Sequence, residues 1–365
     1  MSPTRARKPK AATKPKRIVV TGASGNVGTS VVRALAEDAG VGAVVGIARR
    51  EPDWTCEKLE WVTADVGSPD VDLDPVLAGA DVVIHLAWLF QPARDPLITW
   101  DANVLGSVRV FESVARTGVP ALVHASSVGA YSPGPKDREV TENWPTHGWP
   151  AAAYTREKAY LERVLDGFEA AHPSVRVVRL RPAFLFKRSS ASQQRRLFAG
   201  PLVPQRLVRP ELIPVVPDLP GLAMQALHTE DAAQAYRLAA LGDARGAFNL
   251  AADPVLDAHA LAGVLNAKVV RLPVWALRGP LVAAWRLHLT PASPDLFDAV
   301  LHMPLMDTTR ARTELGWTPT RTATEAVSEL LTGMREVAGE DTPPLAPTVP
   351  GGRAHELSTG AGQKP

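Results

Sequence analysis

Cysteine is almost missing from this chain: Cys56 stands alone among 365 residues. One thiol excludes an internal disulfide, and a reducing cytoplasm is the expected setting. Long apolar runs are lacking too. No stretch of about 18 uncharged apolar residues occurs, so no membrane partner is expected. The N-terminus has no apolar core of the kind a secretory signal carries. The nine histidines contain no paired spacing such as HExxH, so no metal is expected; His85 and His124 fall in apolar strand ends and read as core residues. Acid is absent from residues 1–16, which hold Arg5, Arg7, Lys8, Lys10, Lys14 and Lys16. Taking these six from the formal net charge of +2 leaves −4, a mildly acidic body behind a basic head. Such a head could touch nucleic acid or an acidic partner. Its composition reads more simply as a solvated, disordered tail, and no nucleic-acid partner is expected.

What is present is an ordinary globular balance, 45% hydrophobic and 21% charged, long enough for a large α/β domain and a smaller one. Short apolar strands at 17–21, 43–48, 59–63, 81–86, 121–124 and 175–180 alternate with helical spacing at 26–38, 99–117 and 152–171. That alternation implies parallel βαβ units and a doubly wound sheet with ligands at the carboxyl ends of its strands. Beyond residue 181 the pattern loosens under six prolines between 201 and 220, with helices expected near 230–241, 257–265 and 322–336. The expected organisation is a disordered head (1–16), a dinucleotide-binding domain (17–180), a mainly substrate-binding region with some segments returning to the sheet (181–338), and a disordered tail (339–365).

Thr21-Gly22-Ala23-Ser24-Gly25-Asn26-Val27-Gly28 joins the first strand to the first helix. Its glycines suit a tight turn, a close backbone approach to a pyrophosphate, and close helix–strand packing. The helix N-terminus adds partial positive charge toward phosphates. The acid expected about twenty residues on is missing; that position is Ala48, followed by Arg49 and Arg50. A guanidinium there suits a 2′-phosphate, which favours NADP over NAD. The competing reading makes both arginines surface charges, with Glu51 or Asp53 on the ribose. Asp65 after the third strand suits an adenine contact or, equally, a turn.

Tyr154 and Lys158 stand at i and i+4 on one helical face, and Ser126 and Ser127 end the fifth strand. An ammonium near a phenol favours the phenolate. Tyr154 would then exchange the proton of a reacting carbinol while Ser127 stabilises the developing charge on its oxygen.

The TGxxGxxG loop at 21–28, His124-Ala125-Ser126-Ser127-Val128-Gly129-Ala130-Tyr131 and the YxxxK of 154–158 together resemble the extended short-chain dehydrogenase/reductases, the NAD(P)-dependent epimerase/dehydratase family. Later landmarks agree: Asp101–Gly106 with its Asn103, Leu180-Arg181-Pro182, His228–Ala233, Phe248-Asn249-Leu250 and Leu315–Pro319. The resemblance implies Ser127, Tyr154, Lys158 and Asn103 as catalytic. It implies a cofactor site of Gly22, Ser24, Gly25, Asn26, Val27, Gly28, Arg49, Arg50, Asp65, Val66, Leu86, Ala87, Lys158, Pro182 and Ala183. Members often dimerise through two helices of this domain, so a homodimer is an open expectation. Ser127-Val128-Gly129 departs from the Thr-Asp-Glu of sugar dehydratases, and Ala183-Phe184-Leu185-Phe186 lacks an Asn for a sugar diphosphate. Lys187, Arg188, Arg195 and Arg196 offer charge for an anionic substrate or form a solvated loop; Trp88, Phe90, Trp144 and Trp149 suggest aromatic pocket walls or plain core. The reading is a cytoplasmic NADP- or NAD-dependent oxidoreductase acting on a carbonyl or alcohol of a small-molecule substrate. The alternatives are a nucleotide-sugar epimerase and a non-enzymatic NAD(P)-binding regulator.

Overall fold

The computed structural model describes residues 14–91, 94–200, 202–203, 205 and 212–348. Strands numbered in chain order are β1 (Lys16–Thr21), β2 (Val41–Ala48), β3 (Leu59–Thr63), β4 (Val82–His85), β5 (Ala121–Ala125), β6 (Glu139–Val140), β7 (Arg176–Pro182), β8 (Phe184–Phe186), β9 (Val215–Asp218), β10 (Ala223–His228), β11 (Gly246–Leu250) and β12 (Ala252–Asp257). Seven of them form one sheet in the order β11-β7-β5-β4-β1-β2-β3, parallel throughout. Parallel strands need crossover connections, and helices on both faces bury the near-continuous apolar runs of β2 and β4. One face carries α1 (Asn26–Ala36) and the helix Thr229–Leu241. The other carries α2 (Asp74–Leu77), α4 (Gly106–Thr117) and α5 (Ala153–Ala171), with α3 (Pro96–Trp100) beyond.

β1 lies between β2 and β4. The chain leaves β1 for β2 on one side and returns through β4 on the other, so a crevice opens at the strand ends where the order reverses. In such sheets that switch point is where ligands bind. The C-terminal half returns to the sheet: β11 pairs with β7, and Arg310 stacks on Phe248 within it. The remaining strands make small sheets, among them β12-β10-β8.

Several late sequence landmarks serve as structural ties. Trp317, almost wholly buried, donates its indole N–H to Asp231 O at 2.8 Å, and the Asp231 carboxylate takes Thr320 Oγ1 and the Arg321 amide. Asn249 accepts from Tyr131 Oη at 2.6 Å and donates to Val140 and Asp307 carbonyls.

The ends differ from expectation. Lys16 belongs to β1 and gives its ammonium to the carbonyls of Ala240 and Leu241; residues 1–13 of the basic head lie outside the described residues. The stretch 339–348, expected to be disordered from its Pro and Gly content, is packed. Leu345 and Thr342 are buried, Thr342 Oγ1 donates to Ser24 O at 2.8 Å, and Glu340 takes Arg33, Lys187 and Ser189. Satisfied charges and one buried leucine offset the ordering of a strap whose composition alone argues for solvation. Residues 349–365 lie outside the described residues.

Candidate functional site

The glycine loop sits at the carboxyl end of β1. Gly22 has φ +66°, and a Cβ on it would stand 2.7 Å from Ala87 N. A Cβ on Gly28 would stand 2.2 Å from Gly22 O. Both positions therefore require glycine, one for its left-handed backbone and one for close helix–strand approach. Gly25 is the N-cap of α1, whose first turn has neither a side-chain cap nor an acid. Its leading amides are left without a side-chain acceptor, as an anion site requires.

A buried hydrogen-bond chain fixes this loop against β4. Thr21 Oγ1 accepts from the Leu86 and Ala87 amides at 3.2 Å, so its own proton goes to His85 Nδ1 at 2.7 Å. His85 therefore carries its proton on Nε2 and donates to Ser107 Oγ at 2.8 Å. Ser107 in turn bonds the Asn103 carbonyl. Burial, then the nearby Lys158 ammonium, push His85 down to about 3, and the same two causes lower His124, stacked on it at 5.6 Å. The two histidines are neutral core residues, as their placement in the sequence suggests.

Around the loop, Leu86 and Ala87 border Gly22, while the Asn26 side chain turns toward Leu185 O and Thr229 rather than outward. Ser24 is buried and engaged through its carbonyl by Thr342. Arg49 and Arg50 are exposed at the end of β2. Asp65 forms a turn, accepting from Gly67 N at 2.9 Å, and Val66 behind it is buried. Pro182 ends β7, and Ala183 N bonds Leu250 O.

Ser127, Tyr154 and Lys158 converge. Ser127 caps a short helical turn at Val128–Ala130, its hydroxyl accepting from Gly129 N at 3.0 Å, and the Tyr154 ring lies beside it, both side chains flanking Gly129. Lys158, one turn along α5 from Tyr154, is buried, donates to Ala125 O at 2.7 Å, and holds its ammonium 3.4 Å from the Trp88 ring centroid. Burial pushes that ammonium down to about 7 against the pull of Glu157 and Glu162. Burial also pushes the Tyr154 phenol up to about 12, the Ser127 hydroxyl opposing it. The expected depression of the phenol by Lys158 is thus not what this arrangement produces: the ammonium faces Ala125 and Trp88, and the aromatic surroundings of the phenol decide.

Those surroundings are a cage. Phe90 stacks on Tyr154 at 5.1 Å, Trp88 meets it edge-on at 5.7 Å, and Phe198 meets Phe90 at 5.7 Å. Tyr154 lines a cavity of about 230 Å³ with these rings, Trp285, Glu157 and Asp295. Of the four aromatics anticipated as walls, Trp88 and Phe90 line it. Trp144 and Trp149 pack in a separate cluster, where Trp149 stacks on His302.

Asn103 differs from its expected catalytic role. Its amide accepts from Leu89 N at 2.7 Å and donates to Leu89 O and to Glu157 Oε2. Thr99 completes the buried carboxylate with a 2.6 Å bond. Asn103 lies in a widened π turn, Asp101–Leu105, and every hydrogen-bonding atom of its side chain is engaged. It holds the Trp88–Phe90 wall and does not reach the phenol.

Beneath Lys158, sequence reasoning missed a buried ionic cluster. Glu162, one further turn along α5, takes Ser126 Oγ at 2.6 Å, Arg181 Nε at 2.9 Å and Arg179 Nη1 at 3.0 Å. Burial raises its pKa, but the bonds from Arg181, Ser126 and Arg179 prevail and hold it at about 2. Arg179 also reaches Asp166 and Glu169. The available signal was two arginines at i and i+2 near the end of β7, placed on one side of the sheet.

The basic run after β8 does not line the cavity. Lys187 bonds Thr29, Ser30 and Glu340, Arg188 pairs with Glu336, and Arg196 bonds the carbonyls of Pro344 and Ala346. Arg195 donates to Gly200 O. Among the described residues no helix is long and apolar enough to cross a membrane, and no group of side chains is arranged to hold a metal ion.

Comparison with known proteins agrees with this architecture. An uncharacterised protein of Mycobacterium tuberculosis is 26% identical over 330 residues, covering 87% of this chain and 84% of the relative. A UDP-glucose 4-epimerase of Mycolicibacterium smegmatis is 35% identical over 161 residues, covering 41% of this chain and 50% of that one. Among solved structures, Thermus thermophilus UDP-glucose 4-epimerase in complex with NAD superposes with a TM-score of 0.64 at 18% identity, covering 87% of this chain and 99% of that one. UDP-N-acetylglucosamine 4-epimerase from Methanobrevibacter ruminantium gives 0.64 at 20% identity, covering 89% and 99%; these two likenesses concern the fold. Residues 18–251, from the first strand through the last strand of the seven-stranded sheet, match the family model described as NAD dependent epimerase/dehydratase, and the chain belongs to that family.

Proposed function

We propose that the chain is an NAD(P)-dependent oxidoreductase that interconverts a carbonyl and an alcohol on a small organic molecule, with Tyr154 as the acid/base. The observation that carries this reading is the position of Tyr154, which lines the cavity beside Ser127 and one turn from the buried Lys158. The residues fit a dinucleotide: the two constrained glycines form a cradle that a Cβ would fill, and the α1 N-terminus is uncapped. When bound, the nicotinamide supplies or accepts the hydride. In the reducing direction Tyr154 would give its phenolic proton to the substrate oxygen as the carbonyl carbon takes up the hydride, hydride and proton together making the alcohol. Ser127 bonds the same oxygen as its charge develops. Lys158 holds a ribose hydroxyl. Leu86, Ala87, Pro182 and Ala183 border the cofactor, and Asp65 and Val66 border its adenine. Arg49 and Arg50 favour NADP, while the family's description names NAD.

A second reading, sugar epimerisation, draws on the names of similar proteins. It would oxidise and re-reduce one carbon with no net cofactor change. Among the described residues, Lys187, Arg188, Arg195 and Arg196, the cations anticipated for an anionic substrate, are engaged away from the cavity, which supports the first reading.

Titration with NADPH and NADH, followed by a carbonyl panel read as loss of reduced cofactor, tests the proposal. Net oxidation that Tyr154→Phe abolishes, with cofactor affinity nearly unchanged, is the expected result; equal activity in the variant would sink the assignment. Conversion of a UDP-sugar without net oxidation would favour the epimerase. Arg49→Ala is expected to weaken NADP more than NAD, and an unchanged ratio of dissociation constants would remove that role.

A further inference from the structure

We infer that the cavity beside Tyr154 selects a flat, uncharged, ring-bearing carbonyl or alcohol of bicyclic size and rejects nucleoside diphosphate sugars, an inference that rests on the oxidoreductase reading above. The walls are rings. Trp88, Phe90 and Phe198 form a contiguous aromatic surface around the phenol, and Trp285 of the helix Trp275–Arg286, with the Arg94 guanidinium over its ring, also lines the cavity. Aromatic faces and edges reward a planar apolar ligand in stacked or edge-on geometry.

Size points the same way. About 230 Å³ falls below the roughly 300–1,000 Å³ of pockets for drug-sized ligands. It accommodates a small fused-ring compound, and a uridine, a diphosphate and a hexose together exceed it.

Charge decides between ligand classes. A diphosphate requires clustered cations or free helix-terminal amides. The cavity is bordered by Glu157, whose carboxylate is enclosed by Thr99 and Asn103, and by Asp295. Arg156 also borders it and gives one N–H to Pro150 O. The two further cations beside the walls, Arg94 over the Trp285 ring and Lys158 over the Trp88 ring, give N–H groups to the carbonyls of Trp285, Thr290 and Ala125, so among the described residues no cluster of cations is turned toward a diphosphate. The four cations that follow β8 bond the strap, α1, Glu336 and nearby carbonyls instead.

The roof supplies a variant that leaves the core intact, because the helix Trp275–Arg286 contains no buried residue. The experiment is calorimetric titration of the protein, saturated with oxidised cofactor, with 2-acetonaphthone and with UDP-glucose. It is repeated for Trp285→Ala, and the ketone is then offered with NADPH and with NADH. The ketone is expected to bind, UDP-glucose to show no heat at the same concentrations, and Trp285→Ala to weaken the ketone about tenfold or more, the scale of lost apolar pocket contacts. Failure of the ketone to bind, UDP-glucose binding as tightly, or an unchanged ketone affinity in Trp285→Ala overturns the inference. Ketone binding with the expected loss in the variant, but no reduction by either cofactor, supports the assignment of the cavity and sinks the oxidoreductase reading instead.

Discussion

Gly129 presses its backbone against the ring of Tyr154: a methyl built on Gly129 would stand 2.9 Å from Tyr154 Cε1 and 3.3 Å from Thr155 Cγ2. Real side chains do not tolerate the first distance, so the ring would have to move. Phe90 stacks on the phenol and Trp88 abuts it, which leaves little room for a small correction. Gly129→Ala is therefore expected to misplace the phenolic oxygen relative to Ser127. Displacements near 1 Å cost on the order of 10²-fold in rate. The check is kcat on the best ketone beside NADPH affinity. A large loss in kcat with cofactor affinity retained is expected; wild-type kcat would show that the ring does not depend on this contact.

Asn103 acts on the wall of the cavity. Removing its amide in Asn103→Ala leaves the Leu89 N–H and C=O and one side of the Glu157 carboxylate unpaired. Each buried group left unsatisfied costs about 1–3 kcal/mol. The expected outcome is lower stability and a raised KM with a smaller change in kcat. A pure kcat defect at unchanged KM would instead place Asn103 with the catalytic groups.

Glu162 joins β5, β7 and α5 in one buried cluster through Ser126, Arg179 and Arg181. Glu162→Gln keeps the shape but leaves Arg181 without its carboxylate, and breaking a buried pair costs about 3–5 kcal/mol. Arg179 retains Asp166 and Glu169, so the loss is expected near the lower figure. Urea unfolding measures it, and an unchanged midpoint would mean that the cluster contributes little.

The glycine loop and the Tyr154–Lys158 pair were legible because their signals are local: glycines at fixed spacing between a strand and a helix, and an i, i+4 pair after a strand end. Six of the seven strands of the sheet were legible as short apolar runs alternating with helices; β11 (Gly246–Leu250) was not, because its five residues GAFNL carry no such run. The contacts that shape the cavity were not. Asn103 meets Glu157 across 54 positions, and Thr342 meets Ser24 across 318. Neither pairing leaves a periodic trace. The strap at 339–348 was misread because its composition describes solvation, while its order comes from partners distant in the chain. The helices Trp275–Arg286 and Pro294–His302 escaped notice for a related reason. Proline inside the first blurs its helical period, and the second is only nine residues long.

Lys158 gives the protein a pH signature. Its ammonium, buried and pushed down to about 7, titrates near 10.4 in the unfolded chain. Between these values the unfolded state binds more protons than the folded one, so stability rises with pH across that window. Below about 7 both states are protonated, and the full cost of burying the charge is present. The direction is opposite to that of a lysine gaining a carboxylate partner. Lys158→Met removes the titrating group. The difference in unfolding free energy between wild type and variant, followed by urea melts from pH 6.5 to pH 10 without cofactor, is therefore expected to shift in favour of wild type as pH rises. Each unit separating folded and unfolded pKa is worth about 1.4 kcal/mol. A difference that stays flat across the range would place the folded-state pKa near its ordinary value and show the ammonium to be well solvated or well paired at neutral pH.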